Sequence, residues 1–164
     1  IIDLLNAFTR MNGKNLRLWI CGKGNAESYI KNCCVEDNRI SYLGQLPHKE
    51  ILSIQAKATI LVNPRTPIGE YTKYSFPSKT MEYLASGTPC IMYKLPTLPE
   101  EYINHIFVVD SFVKDGLFKK MTEVYHMPQN LLQKKAQEAL SFIKTKSPKN
   151  QVSRIIKMIT TTSV

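Results

Sequence analysis

The amino-acid sequence predicts an α/β protein, a Rossmann-like, doubly wound parallel sheet with helices on both faces. Three observations lead there. Five strand-length runs, at residues 16–21, 39–43, 59–62, 89–93 and 106–110, alternate with stretches of helical periodicity, the pattern of a parallel sheet whose connections cross its faces. Several runs end in turn-forming clusters, Gly22-Lys23-Gly24, Gly44-Gln45-Leu46 and Asn63-Pro64-Arg65. With 164 residues, 43% of them apolar, the chain has material for the core of one domain. No repeat, linker or low-complexity segment interrupts it.

The elements follow in order. Ile1, Leu4, Leu5 and Phe8 recur at helical spacing and open the chain on a helix. The strand at 16–21 runs into the Gly22–Gly24 turn and a helix over 26–34; strand, Gly-rich turn and helix begin a nucleotide-binding unit, although G-x-G alone is also an ordinary tight turn. The strand at 39–43 closes on Gly44-Gln45-Leu46 and leads to a helix over 47–58. The apolar strand at 59–62 ends at Asn63-Pro64-Arg65, and a polar loop over 66–75 delivers the central helix. Pro77 suits a first helical turn, and Gly87 suits the position just past a helix end, so both ends of that helix are marked. Met81, Leu84 and Ala85 fall on one stripe and are expected to face the sheet. After the strand at 89–93, two prolines in LPTLPEEY keep the chain extended or turned before the edge strand at 106–110. Helices are expected over 111–125, 130–146 and 148–161, punctuated by His126-Met127-Pro128 and Ser147-Pro148.

Ser75, Ser78, Lys79, Glu82 and Ser86 share another side of the central helix. Free backbone N–H groups at a helix start, two hydroxyls and a Lys can hold a phosphate, and a carboxylate one turn further in can accept from sugar hydroxyls. The plain alternative is a solvated face with an i, i+3 Lys–Glu pair.

The run FPSKTMEYLASGTPCI, preceded by Asn63-Pro64-Arg65, resembles the donor-binding segment of retaining glycosyltransferases of the GT-B fold, family 4-like, a large group that includes many bacterial capsule and lipopolysaccharide enzymes. Members carry a Glu-x7-Glu motif whose helix is followed by a small residue, Gly, x, Pro and a strand. Glu82 matches the second Glu, which in the family hydrogen-bonds the ribose of the nucleotide. Tyr74 stands where the first Glu belongs, so the motif is broken, as in a subgroup with an FPSK…EY version. The resemblance implies that Tyr74, Ser75, Phe76 and Pro77 face the donor sugar, and it makes Glu70, four residues upstream of Tyr74, the candidate for catalytic work on that sugar. It further implies that Gly22 and Gly24 lie near the nucleotide, that Gly44, Gln45 and Leu46 meet the base through their backbone, and that Ser78, Lys79 and Arg65 meet the diphosphate. As a plain alternative, Arg65 is a solvated loop residue.

In the family the opening helix follows a strand, a Gly-Arg turn and a Lys-Gly pair that binds diphosphate, and an acceptor-binding N-terminal domain precedes these. The 164 residues are therefore expected to be a fragment, one nucleotide-sugar-binding domain with a basic helical tail from about residue 111. In the strand order 3-2-1-4-5-6 the first strand lies in the middle. Either upstream residues supply it, or the strand at 16–21 pairs directly with that at 59–62.

Composition narrows the classes. Residues 1–111 carry 12 Lys/Arg against 10 Asp/Glu, and residues 112–164 carry 10 against 3, so the excess of positive charge, +7 of the total +9, falls in the last third. That calls for an anionic partner. Arg154 is the single Arg there and aromatics do not interleave with the lysines, which favours a solvated or membrane-facing surface over nucleic acid. No run of about 18 apolar residues is present, and no signal peptide is visible. Cys21, Cys33, Cys34 and Cys90 lack C-x-x-C spacing and read as reduced thiols of a cytoplasmic protein, and scattered His48, His105 and His126 offer no metal site.

The function expected is donor binding in a glycosyltransferase that moves a hexose from a nucleoside diphosphate sugar, with UDP a candidate carrier, to a saccharide or lipid-linked acceptor in surface polysaccharide synthesis. No metal or other cofactor is expected, since helix N–H groups and basic side chains can hold the leaving diphosphate. The isolated fragment is expected to be inactive and the location cytoplasmic, peripheral on the inner membrane face. Two alternatives stand beside it: a GT-B-type nucleotide-sugar epimerase, and a non-catalytic dinucleotide-binding module. Glu27 after Gly22 and Gly24, where a third Gly belongs, counts against the latter.

Overall fold

The structure is a computed structural model, and it describes residues 1–74 and 78–161. In chain order the elements are α1 (Ile2–Thr9), β1 (Leu18–Cys21), α2 (Glu27–Glu36), β2 (Ile40–Gly44), α3 (His48–Lys57), β3 (Leu61–Asn63), a 3-10 turn (Glu70–Lys73), α4 (Ser78–Ala85), β4 (Cys90–Tyr93), α5 (Glu100–Ile103), β5 (Phe107–Val109), α6 (Gly116–Tyr125), α7 (Gln129–Thr145) and α8 (Pro148–Thr161). The α/β class and the parallel pairing follow the sequence. Two short helical pieces do not: the 3-10 turn interrupts the expected polar loop, and α5 forms in the Pro-rich stretch, with Pro99 at its N-cap.

All strand pairs are parallel, but they form two sheets. β1 pairs with β2, and β3, β4 and β5 form a second sheet in that order. Direct pairing of the strand at 16–21 with that at 59–62 does not form. Among the described residues no strand pairs with the second edge of β1 or of β3. Both strands are short, four residues in β1 and three in β3.

One core nevertheless joins the sheets. Leu4, Leu5, Ala7 and Phe8 of α1 pack with Ile20, Ile40, Ile91, Tyr93 and Val109 of the strands and with Leu117, Met121 and Val124 of α6. A second core lies on the other face of the three-stranded sheet, where Cys90 and Met92 meet Leu84, Leu95, Leu98, Tyr102, Ala139 and Ile143. Successive residues of β4 thus enter opposite cores, as a pleated strand requires, and all four are buried. Burial pushes the Cys90 thiol up to about 12, so it stays protonated at neutral pH. The four cysteines are free.

The central helix faces inward differently from expectation. Thr80 and Leu84 are its buried residues, while Met81 and Ala85 are exposed. Thr80 occupies a buried position because its hydroxyl donates to Met92 Sδ, at 3.7 Å, across the second core. That turn of the helix also decides where Glu82 points. The stop is where the sequence puts it: α4 ends at Ala85, and Gly87 has φ +72, the left-handed conformation a helix-terminating Gly supplies.

The basic C-terminal third is mostly integral to the domain. α6 enters the first core and α7 the second, and α6 begins at Gly116 rather than 111. Among the described residues of α8 none is buried, and Val152, Ile155 and Ile156 are more than half exposed. No helix among the described residues is long and apolar enough to cross a membrane.

Candidate functional site

The carboxyl ends of β1 and β2 lie side by side and are clasped by backbone bonds. Gly22 N donates to Gly44 O at 2.7 Å, and the Tyr42 hydroxyl donates to Gly22 O at 2.7 Å. Gly22 and Gly44 have φ +127 and +65, which side chains disfavour. A Cβ on either, or on Gly24, would meet nothing within 4 Å. The need for Gly at 22 and 44 is conformational, and the loops they form open onto free space. Gln45 is exposed and Leu46 half-buried, and they lead directly into α3.

Glu82 lies on the side of α4 turned to α3. Its Oε1 accepts from Gln55 Nε2 at 2.5 Å and from Lys79 Nζ at 3.0 Å, and its Oε2 lies 3.3 Å from Lys79 Nζ and 3.3 Å from His48 Nε2. Burial works against the charged form, but hydrogen bonds from Gln55, Lys79 and His48 outweigh it and hold the carboxyl below its ordinary range. Glu82 is therefore ionised at neutral pH. Two of its donors are exposed, with 53% of the Lys79 side chain and 69% of the His48 side chain open to solvent. The third, Gln55, is buried.

The chain thus sets Glu82 against the start of the helix that follows the Gly44 loop. His48, two residues after Leu46, reaches the carboxylate. Lys79, assigned by sequence to a diphosphate, is paired with Glu82. Ser78 opens the described part of α4 and is exposed. Arg65 follows β3 with its backbone N–H donating to Asn63 Oδ1 at 3.1 Å, and its Nε is buried. Glu70 is exposed at the start of the 3-10 turn, and Tyr74, 81% exposed, follows it. That turn is anchored by buried Thr72, whose hydroxyl donates to Gly69 O at 2.6 Å and lies 3.1 Å from Pro67 O. Neither Glu70 nor Tyr74 meets Glu82. Ser75, Phe76 and Pro77, and with them the expected Pro77 entry to the helix, lie outside the described residues.

Gln55 and His48 were not singled out by sequence. The signal was available, since residues seven apart share a helix face, but nothing marked that face as the one toward Glu82. Two cavities occur elsewhere. One of about 290 Å³ is lined by Lys57, Gly87, Gln129 and Gln133, and one of about 260 Å³ by Asp3, Arg10, Asp110 and Asp115. Neither includes a predicted site residue.

Known structures share the fold. The chain superimposes on one described as "Crystal structure of GtfA/B complex" with a TM-score of 0.66 and 16% identity, covering 96% of this chain and 32% of that one. It also matches the structure of AviGT4, described as a glycosyltransferase involved in avilamycin A biosynthesis, with a TM-score of 0.53 and 12% identity, over 88% of this chain and 43% of that one. The chain therefore spans less than half the length of either. A search of curated protein sequences finds no match. Residues 1–126 match the family described as "Glycosyl transferases group 1"; they run from α1 through the clasped glycines and the Glu82 helix to the end of α6, and the chain belongs to that family.

Proposed function

We propose that the chain is the donor-binding part of a retaining glycosyltransferase that moves a hexose from a nucleoside diphosphate sugar to a saccharide or lipid-linked acceptor, as in surface polysaccharide synthesis. The observation that carries the reading is Glu82, an ionised carboxylate held against the first residue of the helix that follows the Gly44 loop, with two exposed donors.

A carboxylate offers about four acceptor positions. In this proposal the ribose hydroxyls take those that Lys79 and His48 fill in this structure. Lys79, released from Glu82, then turns to the diphosphate with Arg65 and the backbone N–H groups at the start of α4. The base lies along Gly22, Gly24, Gly44, Gln45 and Leu46. Glu70, Tyr74 and the segment 75–78 face the sugar. Positive charge and helix N–H groups stabilise the diphosphate as it leaves, since fixed donors aimed at developing charge lower the barrier. The acceptor belongs to protein beyond these residues.

The test is calorimetry with UDP, GDP, ADP and CMP. One nucleotide should bind, and Glu82→Gln should weaken it by about 1–3 kcal/mol, the range for hydrogen bonds to a charged group, with the fold intact by circular dichroism. Unaltered affinity in Glu82→Gln, or binding of NAD alone, overturns the reading.

A further inference from the structure

Gln55 is the single buried residue of α3, 6% exposed. Its side chain is divided in its bonding. Nε2 donates to Glu82 Oε1 at 2.5 Å, while Oε1 is buried without a partner. An unpaired buried acceptor is a standing cost to the fold. An apolar residue of like size would remove it and fill the same space. What the amide supplies in return is the bond to Glu82.

The residue is also fixed from a second direction. Its backbone carbonyl accepts from Thr88 Oγ1 at 2.8 Å, so the turn that follows α4 ties α3 in place while the Gln55 amide ties α4. Thr88 is itself buried, and its N–H donates to Ser86 Oγ at 3.1 Å. Gln55 therefore sits in a closed frame made by the helix that carries Glu82 and the turn leaving that helix. The other groups facing the carboxylate are His48 from α3 and Lys79 from α4, both exposed and both able to swing away. Gln55 has no such freedom.

We propose that Gln55 is a positioning residue for nucleotide binding: it holds Glu82 Oε1 and so aims the carboxylate at the ribose hydroxyls when His48 and Lys79 withdraw. This rests on the reading of Glu82 as the ribose ligand. Gln55 does not touch the nucleotide. Its effect is on discrimination between ribose and deoxyribose, because a carboxylate whose aim is loose gains less from a second hydroxyl.

The experiment uses the full chain with UDP, GDP and ADP, each beside its 2′-deoxy counterpart, in wild type, Gln55→Met, Glu82→Gln and the double variant. Gln55→Met should bind the ribonucleotide about tenfold more weakly, in line with one hydrogen bond to a charged group, and should bring the ribo-to-deoxy preference close to that of Glu82→Gln. The double variant should be no weaker than Glu82→Gln alone, because the two residues act through one contact. Circular dichroism should show Gln55→Met folded, since Met fills the space of the amide side chain. Gln55→Leu repeats the test should the Met variant fail to fold. If Glu82→Gln loses the preference and both Gln55 variants keep it, the positioning role is wrong and the donor-site reading stands. If Glu82→Gln itself keeps the preference, the donor-site reading fails. In that case a ¹³C titration of the Glu82 carboxyl still judges the contact: its pKa should rise in Gln55→Met, and an unchanged value overturns the bracing.

Discussion

The two sheets differ in how they are covered. In the three-stranded sheet β4 is sealed on both faces, with Ile91 and Tyr93 in one core and Cys90 and Met92 in the other. In the two-stranded sheet one face, Ile20 and Ile40, enters the first core, and the other carries Trp19 and Leu43, 47% and 37% exposed. The sealed half and the open half carry different parts of the candidate site. The clasped glycines belong to the open half and Glu82 to the helix over the sealed one, with α3 reaching between them through His48 and Gln55. The sealed layer thus presents the charged groups, and the pair of strands with one open face presents the backbone.

The largest test of that contrast is truncation on each side. Ile91→Ala should cost about 2–5 kcal/mol, the range for emptying a fully buried aliphatic site. Trp19→Ala removes a larger side chain that water already reaches, and should cost only about 1–2 kcal/mol. Urea denaturation measures both, and equal losses would erase the distinction.

A smaller effect concerns what ties the open half down. Arg39 makes hydrogen bonds to both carboxylate oxygens of Asp37 and donates to Met11 O at 2.7 Å, next to α1. Hydrogen bonds from Arg39 hold the Asp37 carboxyl below its ordinary range despite the opposing effect of burial. A depressed carboxylate stabilises the fold above its unfolded pKa, and the contribution disappears as pH falls through the folded value. Asp37→Asn should therefore cost about 1–2 kcal/mol at neutral pH. Its stability curve should converge with that of the wild type in acid; a gap that persists there would mean the charge is not what matters.

The smallest effect separates conformation from space. Gly44→Ala should cost about 1 kcal/mol, because φ +65 penalises a side chain that meets no neighbour. Gly24→Ala, in equally open space and without a left-handed φ, should be close to neutral. Thermal melts of the two variants compare them directly, and a costly Gly24→Ala would show that the loop packs more tightly than its open surroundings imply.

How much was legible follows from the range of each signal. Strand runs and the helices between them could be read because periodicity and turn chemistry act over a few neighbouring residues, and α4 ends where Gly87 marks it. Glu82 could be singled out by resemblance, since its motif is contiguous. Other features needed contacts between distant residues. Met81 and Thr80 are neighbours of opposite character, and the polar one is buried because Met92, 12 residues on, accepts its hydroxyl. Gln55 is an unremarkable helical residue until the packing of α3 against α4 sets it 2.5 Å from Glu82, 27 residues away. The separation of β1 from β3 was likewise decided by tertiary structure, because backbone hydrogen bonding states no preference for which strand a short apolar run will join. Local backbone and side-chain rules determined the elements by themselves; which faces meet, and so which groups surround the one carboxylate, depended on how those elements pack.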